Sequence, residues 1–266
     1  GQRNSYSKTD PEATFMRMKD DYMKNGQLKP GYNAQISTEN QIIVNYTIHQ
    51  NPTDTKTLKS HLENLKQTYG EETFKNLEEI TADAGYGSEE NYDYLEKEDI
   101  TAYVKYNTFD KEQDKNYQKT HKPFSKDNLH YNHEEDYYVC PMGQKMHKTH
   151  QSKRVTEAGY NQEISHYQAK NCEGCPLRGQ CHKAKGNRSI ERNHNLERHK
   201  EKVRRLLKIE KGIEKRKQRT ADVEPVFAQL KHNNGFRRFS LKGLEKVELE
   251  FGLMAIAHNL RKKIAS

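Results

Sequence analysis

Between Tyr32 and Tyr106 the hydrophobic period switches in an order that few folds accommodate. Tyr32 to Thr38 and Gln41 to His49 read as strands, the second carrying Ile43, Val44, Tyr46 and Ile48, with Glu39-Asn40 as a tight hairpin connection. Asn51-Pro52-Thr53-Asp54 breaks the pattern. Leu58, Leu62 and Leu65 then recur at helical spacing within Thr55 to Tyr69. A strand closing near Asp83 follows, then a helix through Leu95 that Ser88 can cap, then a strand from Thr101 to Tyr106. Hairpin, helix, strand, helix, strand predicts an α/β fold with a mixed sheet and flanking helices.

The ends of two elements carry the chemistry. Leu77, Ile80 and Ala82 lead to Asp83, and Gly85 and Gly87 follow, so the carboxylate is expected at the mouth of the sheet, where α/β folds gather their sites. The other reading of Asp83 alone is a turn aspartate bonded to its own backbone. Downstream, Val223-Glu224-Pro225 reads as a helix start capped by Thr220 or Asp222, with Pro225 in the first turn. Lys231 lies seven residues after Glu224, almost two turns, so both are expected on one face about 10 Å apart along the axis. Alone, Glu224 is an ordinary first-turn acid and Lys231 a surface lysine. Together, the acids suit divalent ions at a phosphodiester and the lysine suits a phosphate.

Charge is concentrated in one segment. The chain has 266 residues with a formal charge of +8, and the stretch from Arg188 to Arg219, with thirteen Lys/Arg and five Asp/Glu, accounts for the whole excess. A long basic helix from about Ile190 to Arg219 is expected, facing a polyanion or simply solvated with Glu–Lys pairing. The hydrophobic share of 32% and mean hydropathy of -1.23 predict polar insertion beside the core. Asn107 to Leu129 reads as a loop, and Glu12 to Lys24 as a short amphipathic helix. Gly243 to Lys263 reads as a final helix. No run of about 18 apolar residues exists for a membrane span, and the first residues hold no secretory apolar core.

Cys140, Cys172, Cys175 and Cys181 all lie between residues 130 and 185. Cys172-Glu173-Gly174-Cys175 is a C-x₂-C pair, and four thiols in one segment suffice for a closed, structural Zn²⁺ site, with His182 or His147 able to replace a sulfur. The alternative is a set of reduced thiols packing the insertion. His130 and His133, beside Glu134, Glu135 and Asp136, read as a polar loop.

Asp83-Ala84-Gly85-Tyr86-Gly87-Ser88 resembles the second-aspartate block of bacterial insertion-sequence DDE transposases. Val223 to Lys231 resembles their glutamate block, and Gly31-Tyr32-Asn33-Ala34-Gln35 and Asn234 to Phe239 resemble further blocks. The similarity runs through most of the chain and is nearest to the subgroup with a cysteine-bearing insertion between the second Asp and the Glu. Two positions depart from the pattern: Thr220 stands where an Arg is usual, with Arg219 beside it, and Ala228 replaces a Gly.

The resemblance implies a ribonuclease H-like domain in which Asp83 and Glu224 hold Mg²⁺ or Mn²⁺. It implies that Lys231, with Arg219, Arg237 and Arg238, contacts DNA. It implies cleavage of transposon ends with water and attack of the freed 3′ hydroxyl on target DNA. It also implies a cytoplasmic, nucleoid-associated protein without membrane contact and a homo-oligomeric synaptic complex.

The family's first aspartate should close a strand before the hairpin. Asp10, Asp20 and Asp21 lie instead in polar contexts, so a C-terminal part lacking the first strand and acid is expected. On this reading 1–106 begins the catalytic domain, 107–187 is the cysteine-bearing insertion and 188–266 completes the domain. Other readings are a non-catalytic DNA-binding remnant and a metal-dependent nuclease without strand transfer.

Overall fold

A computed structural model describes residues 5–17, 26–114, 116, 124–233 and 235–265. The chain divides into two compact units, one formed by 1–106 with 205–266 and the other by 107–204.

In the first unit, β1 (Thr14–Arg17) pairs antiparallel with β2 (Leu28–Gly31). This replaces the helix expected from Glu12; residues 18–24 of that expectation lie outside the described ones. The alternation is visible afterwards, with Met16 buried and Arg17 exposed. The expected hairpin is formed by β3 (Asn33–Glu39) and β4 (Ile42–His49), with the connection one residue later than the expected Glu39-Asn40 because Glu39 still pairs with Ile42. Its two-residue turn, Asn40-Gln41, has φ of 51° and 66°, the conformation whose twist matches paired strands.

Helix α1 (Leu58–Lys75) follows, extending past Tyr69 with an interruption at Gly70, whose φ is 83°. β5 (Glu79–Ala82) and β6 (Thr101–Val104) pair in parallel, joined through α2 (Glu89–Lys97). Ser88 caps α2 as expected, its Oγ accepting from the Asn91 N–H at 3.3 Å. Helices and strands are thus mixed as expected, but among the described residues β3-β4 and β5-β6 form two separate two-stranded sheets and not one mixed sheet.

The second unit is built on an antiparallel sheet ordered β11-β10-β9-β8-β7. Its strands are β7 (Tyr131–Asn132), β8 (Tyr137–Val139), β9 (Lys145–Val155), β10 (Asn161–Gln168) and β11 (Ser189–Arg192). Tyr138, Met146, Tyr167, Ala169, Cys172 and Ile190 form its core. A short helix, α3 (Phe109–Gln113), lies in the stretch expected to be loop, with Phe109 buried. α4 (Arg178–Cys181) is a single turn.

The expected continuous basic helix is not one helix. After β11 come α5 (His194–Lys208), an extended Ile209 (φ −72°, ψ 161°) and α6 (Glu210–Ala228). Gly212 makes the break workable: a Cβ there would lie 2.0 Å from the Leu206 carbonyl oxygen, so only glycine lets the first turn of α6 approach the end of α5. α6 continues without interruption past Arg219. No new helix begins at Thr220 or Asp222, and Pro225 is interior rather than in a first turn.

A proline there cannot donate to the Ala221 carbonyl one turn back. The Gln41 side chain does so instead, Nε2 donating at 3.0 Å. Gly235, with φ of 65°, ends the segment, and α7 (Leu244–Ala265) follows.

Ile43 and Ile48 of β4 pack with Val226, Leu230, Val247, Phe251 and Ala255, which ties α6 and α7 to the hairpin. Asn259 of α7 pairs with the β4 backbone, accepting from the Ile43 N–H and donating to its carbonyl, both at 2.8 Å. No helix among the described residues is long and apolar enough to cross a membrane.

Candidate active site

Asp83 directly follows β5 and caps a 3₁₀ turn, Ala84–Tyr86, its Oδ1 accepting from the Ala84 N–H at 2.8 Å. The turn-aspartate reading is therefore correct for one oxygen. The other is turned elsewhere: Oδ2 lies 3.9 Å from Arg219 Nη2. The same nitrogen lies 4.0 Å from Glu224 Oε1. Two acids that are 141 positions apart in sequence thus converge on one guanidinium.

Side-chain exposure is 57% for Asp83 and 63% for Glu224 but 19% for Arg219, so the acids open to solvent and the arginine sits under them. With contacts of 3.9 and 4.0 Å to one atom, the two oxygens are at most about 8 Å apart. Two divalent ions about 3.5–4 Å apart, each with oxygen ligands near 2 Å, span a comparable distance. A solvent-open pair of carboxylates aimed at a common cation is a donor set that fits Mg²⁺ or Mn²⁺.

The turn behind Asp83 is braced by residues that were not singled out from the sequence. Asp54 lies over Gly85, its Oδ2 2.9 Å from where a Cβ would be. Its Oδ1 accepts from Asn33 Nδ2 at 2.8 Å and Gln35 Nε2 at 3.1 Å. The Tyr86 hydroxyl donates to Gln35 Oε1. Burial, reinforced by the charges of Asp54 and Asp83, drives the Tyr86 phenol well above its ordinary range, so it remains a neutral donor. Thr55 Oγ1 adds a bond to the Gly85 carbonyl at 3.0 Å. Asn33 and Gln35 belong to a block noted in the sequence, but its link to Asp54 depends on a long-range contact that spacing does not reveal.

Asp10, one of the upstream acids considered, is engaged elsewhere. Both its oxygens accept from the Tyr32 hydroxyl at 3.0 Å, and Oδ2 also accepts from the Gly243 N–H at 3.3 Å. Asp20 and Asp21 lie outside the described residues.

Past Ala228 the backbone widens into a π turn, Gln229–Asn233. Lys231 falls within this turn, so its angle to Glu224 departs from regular helical spacing. Lys231, Arg237 and Arg238 are exposed. Phe236 and Phe239 meet edge to face at 4.9 Å, and Phe239 packs against the core beside Tyr32. Some of the basic segment is committed within the chain. Lys211 and Lys215 both pair with Glu79, at 2.7 and 2.5 Å, and hold its carboxyl below the usual range. Arg204 pairs with Glu201 and Glu112.

Residues 139–264 match the family model of a transposase DDE domain. The match supports a DDE transposase. It takes in Glu224, Lys231 and all four cysteines and leaves Asp83 outside. No curated protein and no solved structure matches the chain.

Proposed function

We propose that this chain is the C-terminal part of a DDE transposase catalytic domain of the insertion-sequence type, with a ribonuclease H-like fold, acting on DNA phosphodiesters at element ends and in strand transfer. The observation that carries this is the convergence of Asp83 and Glu224 on one cationic nitrogen, in a chain whose C-terminal half matches a transposase DDE domain.

Asp83 and Glu224 would hold Mg²⁺ or Mn²⁺, which when bound activates the attacking oxygen and relieves charge on the leaving one. Arg219 keeps the two carboxylates facing one another while no ion is bound, and can turn to a phosphate when displaced. Lys231, Arg237 and Arg238 supply sequence-independent contacts to the DNA backbone. The first acid of the triad would come from a strand outside the described residues, Asp10 being occupied by Tyr32 and Gly243. Synapsis of two element ends would call for a homo-oligomer.

Two measurements test this. Mn²⁺ binding to the chain, followed by the loss of the free-ion paramagnetic resonance signal, should weaken at least tenfold in Asp83→Asn and in Glu224→Gln. The full-length form should nick end-bearing DNA with Mn²⁺, and Asp83→Ala should abolish nicking while keeping DNA binding. Unchanged nicking in that variant would reject the site, and DNA binding without any nicking would favour the non-catalytic reading.

A further inference from the structure

We infer that Cys140, Cys172, Cys175 and Cys181 form a structural zinc site in the second unit, with Arg188 as its charge partner. All four cysteines, His182 and Arg188 line one pocket, although the first and last cysteine are 41 positions apart in sequence; no three of their sulfur and ring-nitrogen atoms lie within 4.8 Å of one another, so an ion would draw the sulfurs inward. Three independent features separate this from thiols that merely pack the insertion.

First, backbone amides hold two of the sulfurs. The Gln144 N–H donates to Cys140 Sγ at 3.3 Å, and the Arg188 N–H donates to Cys172 Sγ at 3.4 Å. Hydrogen bonds of this kind orient the ligands of a metal site.

Second, the segments that carry Cys140 and Cys172 each close a four-residue turn. Cys140 to Gly143 closes with the Gly143 N–H on the Cys140 carbonyl at 2.9 Å, and Cys172 to Cys175 with the Cys175 N–H on the Cys172 carbonyl at 3.4 Å. Each turn has a glycine in the left-handed region, Gly143 at φ 79° and Gly174 at φ 67°. The second turn places two cysteines in one tight loop, a short spacing of the kind that serves tetrahedral zinc, and the first carries Cys140 alone.

Third, Arg188 is 7% exposed, and a guanidinium stays charged in proteins. Its Nη1 donates to Cys181 Sγ at 2.7 Å and its Nη2 to the Phe124 carbonyl, and among the described residues no carboxylate pairs with it. Burying an uncompensated cation is costly. A zinc ion with four thiolates has a net charge of −2 and supplies the missing counter-charge, whereas four neutral thiols do not.

His182 has both ring nitrogens buried without a hydrogen-bond partner. On this inference the four sulfurs complete the tetrahedral set, so His182 lines the pocket without ligating. With every ligand position filled by protein the ion would be structural, tying the end of β8 to the loop between β10 and β11.

The test is metal content. The chain, purified with reductant and dialysed against metal-free buffer, should retain about one zinc per molecule by mass spectrometry, the four ligands making one closed site. Cobalt in place of zinc should give the intense visible and sulfur-to-metal charge-transfer absorption of tetrahedral thiolate coordination. Cys140→Ser and Cys175→Ser should each weaken zinc binding at least tenfold, and His182→Ala should keep it. Wild-type chain without zinc and without the cobalt spectrum overturns the site, whatever the folding of the variants. Undiminished zinc in Cys140→Ser, or its loss in soluble, folded His182→Ala, overturns the four-sulfur ligand set.

Discussion

Pro225 leaves the Ala221 carbonyl without its helical donor, and Gln41, at the tip of a hairpin 184 positions away in sequence, supplies one at 3.0 Å. Gln41 is itself tied down, its carbonyl accepting from His258 Nε2 at 2.8 Å and its Oε1 from Lys262 Nζ at 2.9 Å. One residue thus joins the hairpin turn to α6 and to α7. Gln41→Leu should destabilise the chain by about 1 kcal/mol, the usual net worth of a hydrogen bond at a partly exposed site. The loss should shrink in the Pro225→Ala background, where the backbone N–H returns. Urea midpoints of the four forms check this, and equal losses in both backgrounds would separate the two residues.

Arg219 offers a test of the acid pair that does not depend on DNA. Its contacts at 3.9 and 4.0 Å are to exposed carboxylates, so Arg219→Gln should change stability by less than about 1 kcal/mol. The same substitution removes a cation that competes with metal. Mn²⁺ should therefore bind Arg219→Gln more tightly than wild type, opposite in sign to Asp83→Asn. Titration of the bound ion decides, and weaker binding would mean that Arg219 organises the acids more than it competes.

How much of this was legible follows from the range of the forces involved. The hairpin, the strand before Asp83 and the Ser88 cap are local, and each is formed near its expected bounds. The Asp83 and Glu224 positions came from motif and context, but their bridging by Arg219 did not, because it needs α6 to run unbroken through Pro225. Local rules place a proline in a first turn; the Gln41 donor, invisible in sequence, makes an interior one tolerable. The break at Ile209 is similar: nothing between Lys208 and Glu210 stops a helix, and the approach of Gly212 to Leu206 is tertiary. The strand Thr14–Arg17 is not legible locally, because its four residues pair with Leu28–Gly31 across an intervening segment.

His61 gives the first unit a pH dependence. It is buried on α1, Nε2 against Ser37 Oγ at 2.8 Å and Nδ1 against Thr47 Oγ1 at 2.7 Å. Burial, assisted by His49, lowers its pKa from 6.5 to about 4. The unfolded chain therefore binds this proton more readily. The contribution to stability is complete above about 6.5, falls as pH drops from there to about 4, and is flat below. Its size is about 3 kcal/mol over that window. Denaturant midpoints at pH 7 and pH 4.5 should differ accordingly, and His61→Gln should reduce the difference. An unchanged difference would place the sensitivity in other groups.

Two glycines separate strain that can relax from strain that cannot. A Cβ on Gly252 of α7 would lie 2.3 Å from the Tyr46 hydroxyl, the end of a side chain. A Cβ on Gly87 would lie 2.3 Å from the Lys105 carbonyl oxygen and 2.7 Å from the Tyr106 Cα, both backbone. Gly252→Ala should cost about 1–3 kcal/mol, as overpacking generally does, and Tyr46→Phe should recover part of it. Gly87→Ala has no such relief, because β6 and the turn after Asp83 must separate. It should cost more and, through that turn, weaken Mn²⁺ binding as well, which Gly252→Ala should not do. Melting temperatures and Mn²⁺ titrations of both variants read the two effects separately. Wild-type affinity in Gly87→Ala would mean that Asp83 is positioned independently of the turn it caps.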